Sequence, residues 1–347
     1  MKFGKTVGNF FALDIGTTAL RVIELENSRS GWNLVHYATK PIPARMSAST
    51  ATKDVKDLEV AITDVINQSG IKEKDVAIGI PSDKMFASVV DVPTVSPSEL
   101  NATIKYQAEN YVPMRADEAK IDWAILGPSP ASKDKTEVLI ASVLNTFTEQ
   151  RLEMLENDLK LNVIAIEPDS IALTRALLPD DVVNGRLIVN MEDSATDVIV
   201  TLGRAPRLLR SIPVGMNTLV KSVQKSFNVD EQQARQLVLK FGVEKTALNG
   251  QLYHSIDGSI NQLMSELVKS VQFFTRKYKG MRIEVTMVSG YTATLNGFAN
   301  LISNKTRLPV QIATPWQHIN VPDTEKATLG PISAQFAVAA GLAERIN

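Results

Sequence analysis

The sequence predicts a mixed α/β protein made of two related halves around a cleft. A plan of three strands followed by a helix occurs near the N-terminus and is repeated after about residue 184. In each copy a short turn joins the first two strands, and Asp14 or Asn190 stands at the end of the strand before that turn. The chain has 347 residues, of which 44% are hydrophobic, enough for two packed cores. Clefts between such halves are common ligand sites.

Composition excludes several classes of protein. Lys plus Arg (37) nearly balances Asp plus Glu (38), so the charge gives no sign of a nucleic-acid partner. There is no cysteine, which excludes disulfide scaffolds, cysteine nucleophiles and thiolate metal sites. No apolar run approaches the roughly 20 residues that span a bilayer, and no signal peptide precedes the first strand. We therefore expect a cytoplasmic protein with no direct membrane insertion, which reaches a membrane only through a partner.

The first turn, Leu13-Asp14-Ile15-Gly16-Thr17-Thr18, carries the strongest local signal. Gly16 can take a positive φ and lets backbone approach a ligand closely. Thr17 and Thr18 offer N–H groups and hydroxyls that suit phosphate oxygens, and Asp14 could hold a hydrated Mg²⁺ beside them. The alternative is an ordinary hairpin in which Asp14 satisfies its own turn.

The chain then divides into four predicted segments. These are a first-half core (1–80), an inserted α+β module (81–147), the rest of the first half (148–183), and the second half (184–347) with a helical subdomain at about 217–281. The module begins its helix with a capping box in which Ser96 and Glu99 cap each other. The last helix, from Ile332 to Arg345, is expected to pack back on the first half.

The elements predicted for the two cores follow hydrophobic periodicity and turn residues. In the first half they are strands at Phe10–Leu13, Ala19–Leu25, Trp32–Ala38, Val76–Ile80 and Val163–Ile166, and helices at Val55–Val65, Phe147–Leu159 and Asp169–Leu177. In the second half they are strands at Leu187–Met191, Thr196–Thr201, Arg207–Pro213, Ile283–Val288 and Leu308–Ile312, and helices at Asn217–Phe227, Asp230–Phe241, Ile260–Tyr278 and Leu295–Ile302. The module is predicted to contain strands at Phe86–Val92, Ile121–Leu126 and Val138–Val143.

Two further features have a functional and a structural interpretation. Glu167 lies at a strand end that faces the predicted cleft and is the candidate general base for an attacking water. The neighbouring Asp169 equally suits a helix cap. Arg204, Arg207 and Arg210 could form a basic patch, but their alternation along a strand favours a solvated strand face.

With these residues in view, the chain resembles the actin-like ATPase superfamily, whose fold is a duplicated ribonuclease-H-like α/β core. Within it the chain is similar to the PilM family of type IV pilus assembly proteins, relatives of the division protein FtsA. The module follows the first helix of the first half, where FtsA and PilM carry theirs. The matching segments are Phe11–Thr18, Ile80-Pro81, Glu99-Leu100, Glu109, Tyr111–Pro113, Ile121–Trp123 and Ala340–Ala343.

The resemblance implies a cytoplasmic adaptor that binds the N-terminal peptide of a PilN-like inner-membrane protein, in a groove near the inserted module. It also implies contacts with other pilus platform or motor components and self-association through the module. The chain stops at Ile346-Asn347 without the amphipathic tail of FtsA, which favours PilM. The implied cofactors are ATP and Mg²⁺, with the metal at Asp14. The implied nucleotide-binding residues are Asp14, Gly16, Thr17, Thr18, Asn190, Gly215, Gly290 and Tyr291.

The second half departs from the family pattern in two motifs, the one that binds phosphate and the one that binds adenosine. Asn190-Met191-Glu192-Asp193 replaces Asp-hydrophobic-Gly-Ala, and Gly290-Tyr291-Thr292-Ala293 replaces a glycine-rich turn. Unless compensated, a carboxylate ~4 Å from a phosphate costs about 4 kcal/mol at an effective dielectric of 20. One alternative is a working ATP site in which Tyr291 stacks on adenine. The other is a degenerate site on a retained scaffold, with weak or lost hydrolysis.

Two rival functions remain open at this stage. One is an active FtsA-like filament former that binds and hydrolyses ATP. The other is an ATP-dependent small-molecule kinase, which would need an intact second phosphate motif.

Overall fold

The computed structural model describes residues 9–28, 31–107, 110–130 and 132–345. They form two compact units. Unit 1 contains the described residues of 1–84, 145–177 and 314–347, and unit 2 contains those of 85–144 and 178–313. Glu109, Ile346 and Asn347, which are named above, lie outside the described residues.

Unit 1 is built on a six-stranded sheet with the order β14-β3-β2-β1-β4-β8. Its strands are β1 (Phe11–Ile15), β2 (Ala19–Ser28), β3 (Gly31–Pro41), β4 (Asp75–Ile80), β8 (Asn162–Pro168) and β14 (Ile319–Asn320). Its helices are α1 (Ala44–Ala48), α2 (Thr52–Ser69), α4 (Asn145–Leu152), a π-helix (Glu153–Asp158), α5 (Asp169–Leu177), α11 (Asp323–Leu329) and α12 (Ala337–Ala343), with 3₁₀ turns at Ser82–Lys84 and Gly330–Phe336. The apolar stripe of α2, Leu58, Ile62 and Val65, is buried against this sheet.

Unit 2 contains a five-stranded sheet with the order β11-β10-β9-β12-β13. Its strands are β9 (Gly185–Met191), β10 (Thr196–Leu202), β11 (Ala205–Ile212), β12 (Ile283–Gly290) and β13 (Val310–Ile312). Its helices are α6 (Met216–Phe227), α7 (Glu231–Phe241), α8 (Gln251–Lys277), α9 (Tyr291–Thr294) and α10 (Phe298–Thr306), with a 3₁₀ turn at Ala247–Gly250.

The predicted duplication is present in the strand order and in the strand directions. In unit 1, β1 pairs antiparallel with β2 and parallel with β4, and β2 pairs antiparallel with β3. In unit 2, β9 pairs in the same way with β10 and β12, and β10 with β11. The two turns singled out from the sequence therefore occupy equivalent positions in the two sheets.

The inserted segment forms a three-stranded antiparallel sheet with the order β5-β7-β6, covered by one helix. Its elements are β5 (Met85–Pro93), α3 (Pro97–Gln107), β6 (Ala119–Pro128) and β7 (Lys135–Leu144). The capping box is formed, since Glu99 accepts from the Ser96 backbone N–H at 3.0 Å and donates its own N–H to Ser96 Oγ at 3.3 Å. By its contacts this module belongs to unit 2 and packs with the second-half core.

A buried charge cluster joins the module to the second-half core. Glu137 on β7 is fully buried and accepts hydrogen bonds from Arg207 Nη1 (2.6 Å) and the Tyr278 hydroxyl (2.7 Å). Lys277 Nζ lies 2.7 Å from Glu137 and 3.1 Å from Asp91. Burial, followed by the hydrogen bond to Glu137, raises the pKa of Tyr278. The interpretation of Arg207 as part of a solvated strand face is therefore wrong.

Several element boundaries differ from the prediction for identifiable reasons. Helix α8 begins at Gln251 rather than Ile260, because Leu252 and Ile256 continue its buried stripe past Gly258. The predicted helix from Phe147 continues beyond Leu152 as a π-helix, and the predicted C-terminal helix begins as 3₁₀ turns. Strand β14 and helix α11 were not predicted.

Candidate functional site

The first phosphate turn closes the β1–β2 hairpin of unit 1. The Gly16 N–H donates to the Ala19 carbonyl oxygen at 3.1 Å. A Cβ on Gly16 would lie 2.9 Å from that oxygen and 3.0 Å from Arg21 Nη1. Gly16 is not among the glycines with positive φ, so the space available, rather than the expected backbone conformation, requires glycine at this position.

Asp14 and Arg21 face each other across this hairpin. They are paired residues in the β1–β2 register, and Arg21 Nη1 donates to Asp14 Oδ2 at 3.0 Å. Burial raises the pKa of Asp14, and the charge of Arg21 opposes that shift. Arg21 Nε is buried and has no hydrogen-bond partner among the described residues. A donor held here suits a phosphate oxygen. Arg21 was not predicted as a site residue, although the hairpin register places it opposite Asp14.

Glu167 lies elsewhere in unit 1, at the end of β8. Its two carboxylate oxygens accept from Arg175 at 2.6 and 2.9 Å, and one of them also accepts from Arg345 Nη1 at 2.7 Å. Arg175 also donates to the Gly341 carbonyl on α12. This arrangement ties the C-terminal segment to α5 and β8. Both oxygens of the candidate general base are therefore occupied by guanidinium donors.

The equivalent turn of unit 2 is closed by the chain itself. The Glu192 N–H donates to the Ala195 carbonyl at 2.8 Å. The first amides of α6, Met216 and Asn217, donate to the carbonyls of Glu192 and Asp193, each at 2.9 Å. A Cβ on Gly215 would lie 2.6 Å from the backbone at Ala195 and Asp193. The helix N-terminus that would suit a phosphate therefore donates to the protein's own backbone.

Asp193 lies in a side-chain network rather than presenting its charge outward. Arg235 Nη1 donates to Asp193 Oδ1 at 2.9 Å and Arg235 Nη2 donates to Asn217 Oδ1 at 2.6 Å. The Tyr291 hydroxyl donates to the same Asp193 oxygen at 3.3 Å. Burial opposes the charge of Arg235, but its bond to Asp193 raises the pKa of the guanidinium overall. Arg235 therefore supplies the positive charge that compensates Asp193, a partner that the sequence alone did not reveal.

The remaining second-half residues pack around the same turn. The Asn190 side-chain amide donates to Glu192 Oε1 at 3.0 Å. Gly290 has φ +60°, and a Cβ there would lie 2.2 Å from the Met191 carbonyl oxygen. Thr292 is fully buried, and its hydroxyl donates to the Val189 carbonyl at 2.7 Å. Asn190, Gly215, Gly290 and Tyr291 are thus brought together, around a turn stabilised by internal bonds.

The two turns differ in how well they fit a nucleotide. The unit 1 turn keeps a glycine with no room for a side chain and an arginine, Arg21, whose buried Nε is a spare donor. In the unit 2 turn, the backbone amides that a phosphate would need already donate to carbonyl oxygens of the protein. The residues of the second half as arranged here do not fit a triphosphate.

Unit 1 also contains a cavity of about 500 Å³. It lies between α2 and the α4/π-helix segment, and its apolar wall includes Leu58, Phe147 and Met154. Lys84, the last residue before the module, and Phe147, just after it, both line this cavity. π-Helical turns are frequent at functional sites.

Arg151 gives this cavity a half-buried cation. Its Nη2 donates to the Ser47 carbonyl at 2.9 Å, and its guanidinium lies over the Phe147 ring at 5.5 Å from the centroid. Burial lowers the pKa of Arg151 to about 10. Lys56 and Glu59 add charges of both signs at the rim. The cavity therefore offers both an apolar wall and polar groups to a ligand.

None of the helices in the described part of the chain combines the length and hydropathy that crossing a bilayer requires.

Comparisons with known proteins identify the fold. The structure is similar to a chain in the PilM-PilN type IV pilus biogenesis complex, with a TM-score of 0.81 and 22% identity over 96% of this chain and 97% of that chain. It is also similar to the MamK double helical filament (0.54, 12% identity, 98% and 99% covered). A third similar structure is MreB5 of Spiroplasma citri bound to ADP (0.52, 14%, 97% and 95%). The predicted actin-like fold class is confirmed.

The sequence itself matches the family of the type IV pilus assembly protein PilM over residues 12–347. That match includes both sheets, the inserted module and α12. The resemblance inferred from the motifs is confirmed: the chain belongs to the PilM family of type IV pilus assembly proteins.

Proposed function

We propose that this chain is a PilM-like adaptor of the inner-membrane platform of the type IV pilus. In this role it binds the N-terminal cytoplasmic peptide of a PilN-like membrane protein and works at the membrane from the cytoplasmic side. The family match over residues 12–347 carries the proposal. The similar solved structure is a complex of PilM with PilN, which supports the same kind of partner here. Other platform or motor components are further expected partners.

The cavity of unit 1 is our candidate for the peptide site. It is lined by residues on both sides of the module insertion, the region where the family resemblance puts the groove. Its apolar wall suits aliphatic side chains, and Arg151 and the nearby hydroxyls suit backbone carbonyl oxygens. A peptide that fills such a site gains from burying apolar surface and from a few oriented polar contacts.

Titration of the full-length chain with the synthetic N-terminal peptide of its PilN-like partner tests both points. Gln150 is exposed and lines the cavity, so Gln150→Trp is expected to fill it and weaken binding at least about tenfold, or 1.4 kcal/mol. The matched control is Gln68→Trp, at an exposed position of α2 outside the cavity lining. No binding by the unaltered protein would overturn the adaptor function. Equal binding by both variants would overturn only the cavity as its location.

We also propose that ATP hydrolysis is weak or lost. The α6 amides and Asp193 are engaged by the protein's own groups, which supports this view. The retained Asp14, Gly16 and Arg21 leave nucleotide binding, and with it an FtsA-like ATP-dependent filament, as the second candidate. The test is ATP turnover of the full-length chain beside its Asp14→Ala variant. Turnover comparable with related ATPases, abolished by Asp14→Ala, would contradict the proposal.

A further inference from the structure

A basic hollow lies on the exposed side of α8, in unit 2. It has a volume of about 380 Å³ and is lined by five residues of this one helix, Lys269, Gln272, Phe273, Arg276 and Lys277. Three of the five are cations, whereas the whole chain carries a net charge of −1. The opposite face of α8 supplies the buried stripe from Leu252 to Phe274 and fixes the helix in the second-half core. The hollow is therefore a cationic surface on a rigid support.

Phe273 is the apolar residue in the lining of this hollow, and it is 39% exposed. Lys269 precedes it by four residues and Arg276 follows it by three, and both are exposed. These spacings put side chains next to each other on the surface of a helix. The aromatic ring is thus flanked along the helix by one cation on each side. Aromatic and arginine side chains are enriched at protein interfaces relative to the rest of the surface.

The three cations of the hollow differ in how far carboxylates of the protein neutralise them. Lys269 Nζ lies 2.6 Å from Glu266, and Lys277 Nζ lies 2.7 Å from Glu137. Arg276 makes no ion pair with any residue that the structure describes. A guanidinium can form two parallel hydrogen bonds with one carboxylate, which an ammonium cannot. Arg276 therefore carries the positive charge that an acidic partner would neutralise.

We propose that this hollow binds an acidic segment of another protein, in which an apolar side chain stands between Asp or Glu residues. The apolar side chain contacts the Phe273 ring, and a carboxylate beside it pairs with Arg276. An anionic lipid surface fits less well, because Glu266 and Asp91 place negative charge beside two of the cations. The hollow shares no residue with the cavity of unit 1, and the proposal does not depend on the adaptor function.

Selection of a phage-displayed library of random peptides on the full-length chain tests this proposal. Phage that also bind the Arg276→Glu variant are removed, so that peptides bound elsewhere on the protein are discarded. We expect the remaining peptides to carry Asp or Glu on both sides of an apolar residue. A remaining pool without such an excess of acidic residues would overturn the proposal, and so would an empty pool.

The most frequent of these peptides is then synthesised and titrated against variants that the selection did not use. Phe273→Ala is expected to weaken binding at least about tenfold, because it removes the ring that the apolar side chain contacts. Lys305→Glu is the matched control, since Lys305 is also an exposed cation in the last turn of its helix, α10. It should leave the affinity unchanged. Equal binding by the unaltered protein and Phe273→Ala would overturn the proposal, and thermal unfolding checks that each variant is folded.

Two further measurements separate this site from its alternatives. The N-terminal peptide of the PilN-like partner should bind Arg276→Glu and the unaltered protein equally, so failure of the hollow and failure of the adaptor function are distinguishable. Vesicles of equal parts phosphatidylserine and phosphatidylcholine test the lipid alternative. We expect no binding to them that depends on Arg276. Vesicle binding that Arg276→Glu abolishes would assign the surface to a membrane and overturn the proposal.

Discussion

Two glycines of unit 2 differ in what surrounds them, and this difference predicts opposite effects of the same substitution. Gly290→Ala would put a Cβ 2.2 Å from the Met191 carbonyl oxygen at a φ of +60°. We expect it to lower the free energy of unfolding by more than about 3 kcal/mol. Gly258, in the middle of α8, has nothing within 4 Å of its Cβ position. Gly258→Ala should stabilise the protein by about 0.5–1 kcal/mol.

Urea denaturation of the two variants beside the unaltered protein measures both changes. The slope of the unfolding free energy against urea concentration should stay the same for Gly258→Ala, because the surface exposed on unfolding is unchanged. If Gly290→Ala unfolded at the same urea concentration as the parent, the close backbone approach at this turn would be contradicted.

At the candidate site, local residues were predictable and distant ones were not. Asp14 and Gly16 lie two residues apart in a recognisable turn, so their pattern predicted the hairpin. Arg235 lies 42 residues from Asp193, and no local pattern could pair them. The charge of Asp193 therefore looked uncompensated from the sequence. Its neutralisation depends on how α7 packs against the β9–β10 turn.

At the scale of one element, the start of α7 depends on a single side chain. Asp230 accepts the N–H of Gln233 at 2.8 Å, and Gln233 Oε1 accepts the N–H of Asp230 at 3.3 Å. Asp230→Ala removes the cap and should cost about 1 kcal/mol of unfolding free energy. Asp230→Asn keeps an acceptor and should retain most of the stability. Thermal unfolding of both variants measures this, and equal losses would show that the negative charge matters rather than the hydrogen bond.

Helices and strands were predictable where one hydrophobic period continued between recognisable cap or turn residues. The cap at Asp230 and the capping box at Ser96 gave correct helix starts. The start of α8 was missed because Gly258 interrupts a stripe that Leu252 and Ile256 nevertheless continue. Strand β14 has only two residues and exists because Ile319 pairs with Trp32, a partner far away in the sequence. No local pattern marks such a strand.

At the scale of the whole molecule, the Glu137 cluster connects the inserted module to the second-half core, and we expect it to hold the module there. Removing one partner of a buried ion pair leaves the others uncompensated, so Glu137→Ala should cost about 3–5 kcal/mol. Glu266→Ala, in a more exposed pair with Arg210, should cost far less. Hydrogen exchange of the module strands measures whether they then open before the rest of unit 2. Unchanged protection in Glu137→Ala would contradict this role.

The course of the chain through its two units also constrains the order in which they can form during synthesis. The chain passes from one unit to the other after residues 84, 144, 177 and 313. All of unit 2 has therefore been made before residues 314–345, which supply β14 and the wholly buried helix α12 to unit 1. Until then the α5 surface that α12 covers stays open to water and to other chains. Translation therefore finishes every segment of unit 2 before it supplies β14 and α12, which complete unit 1.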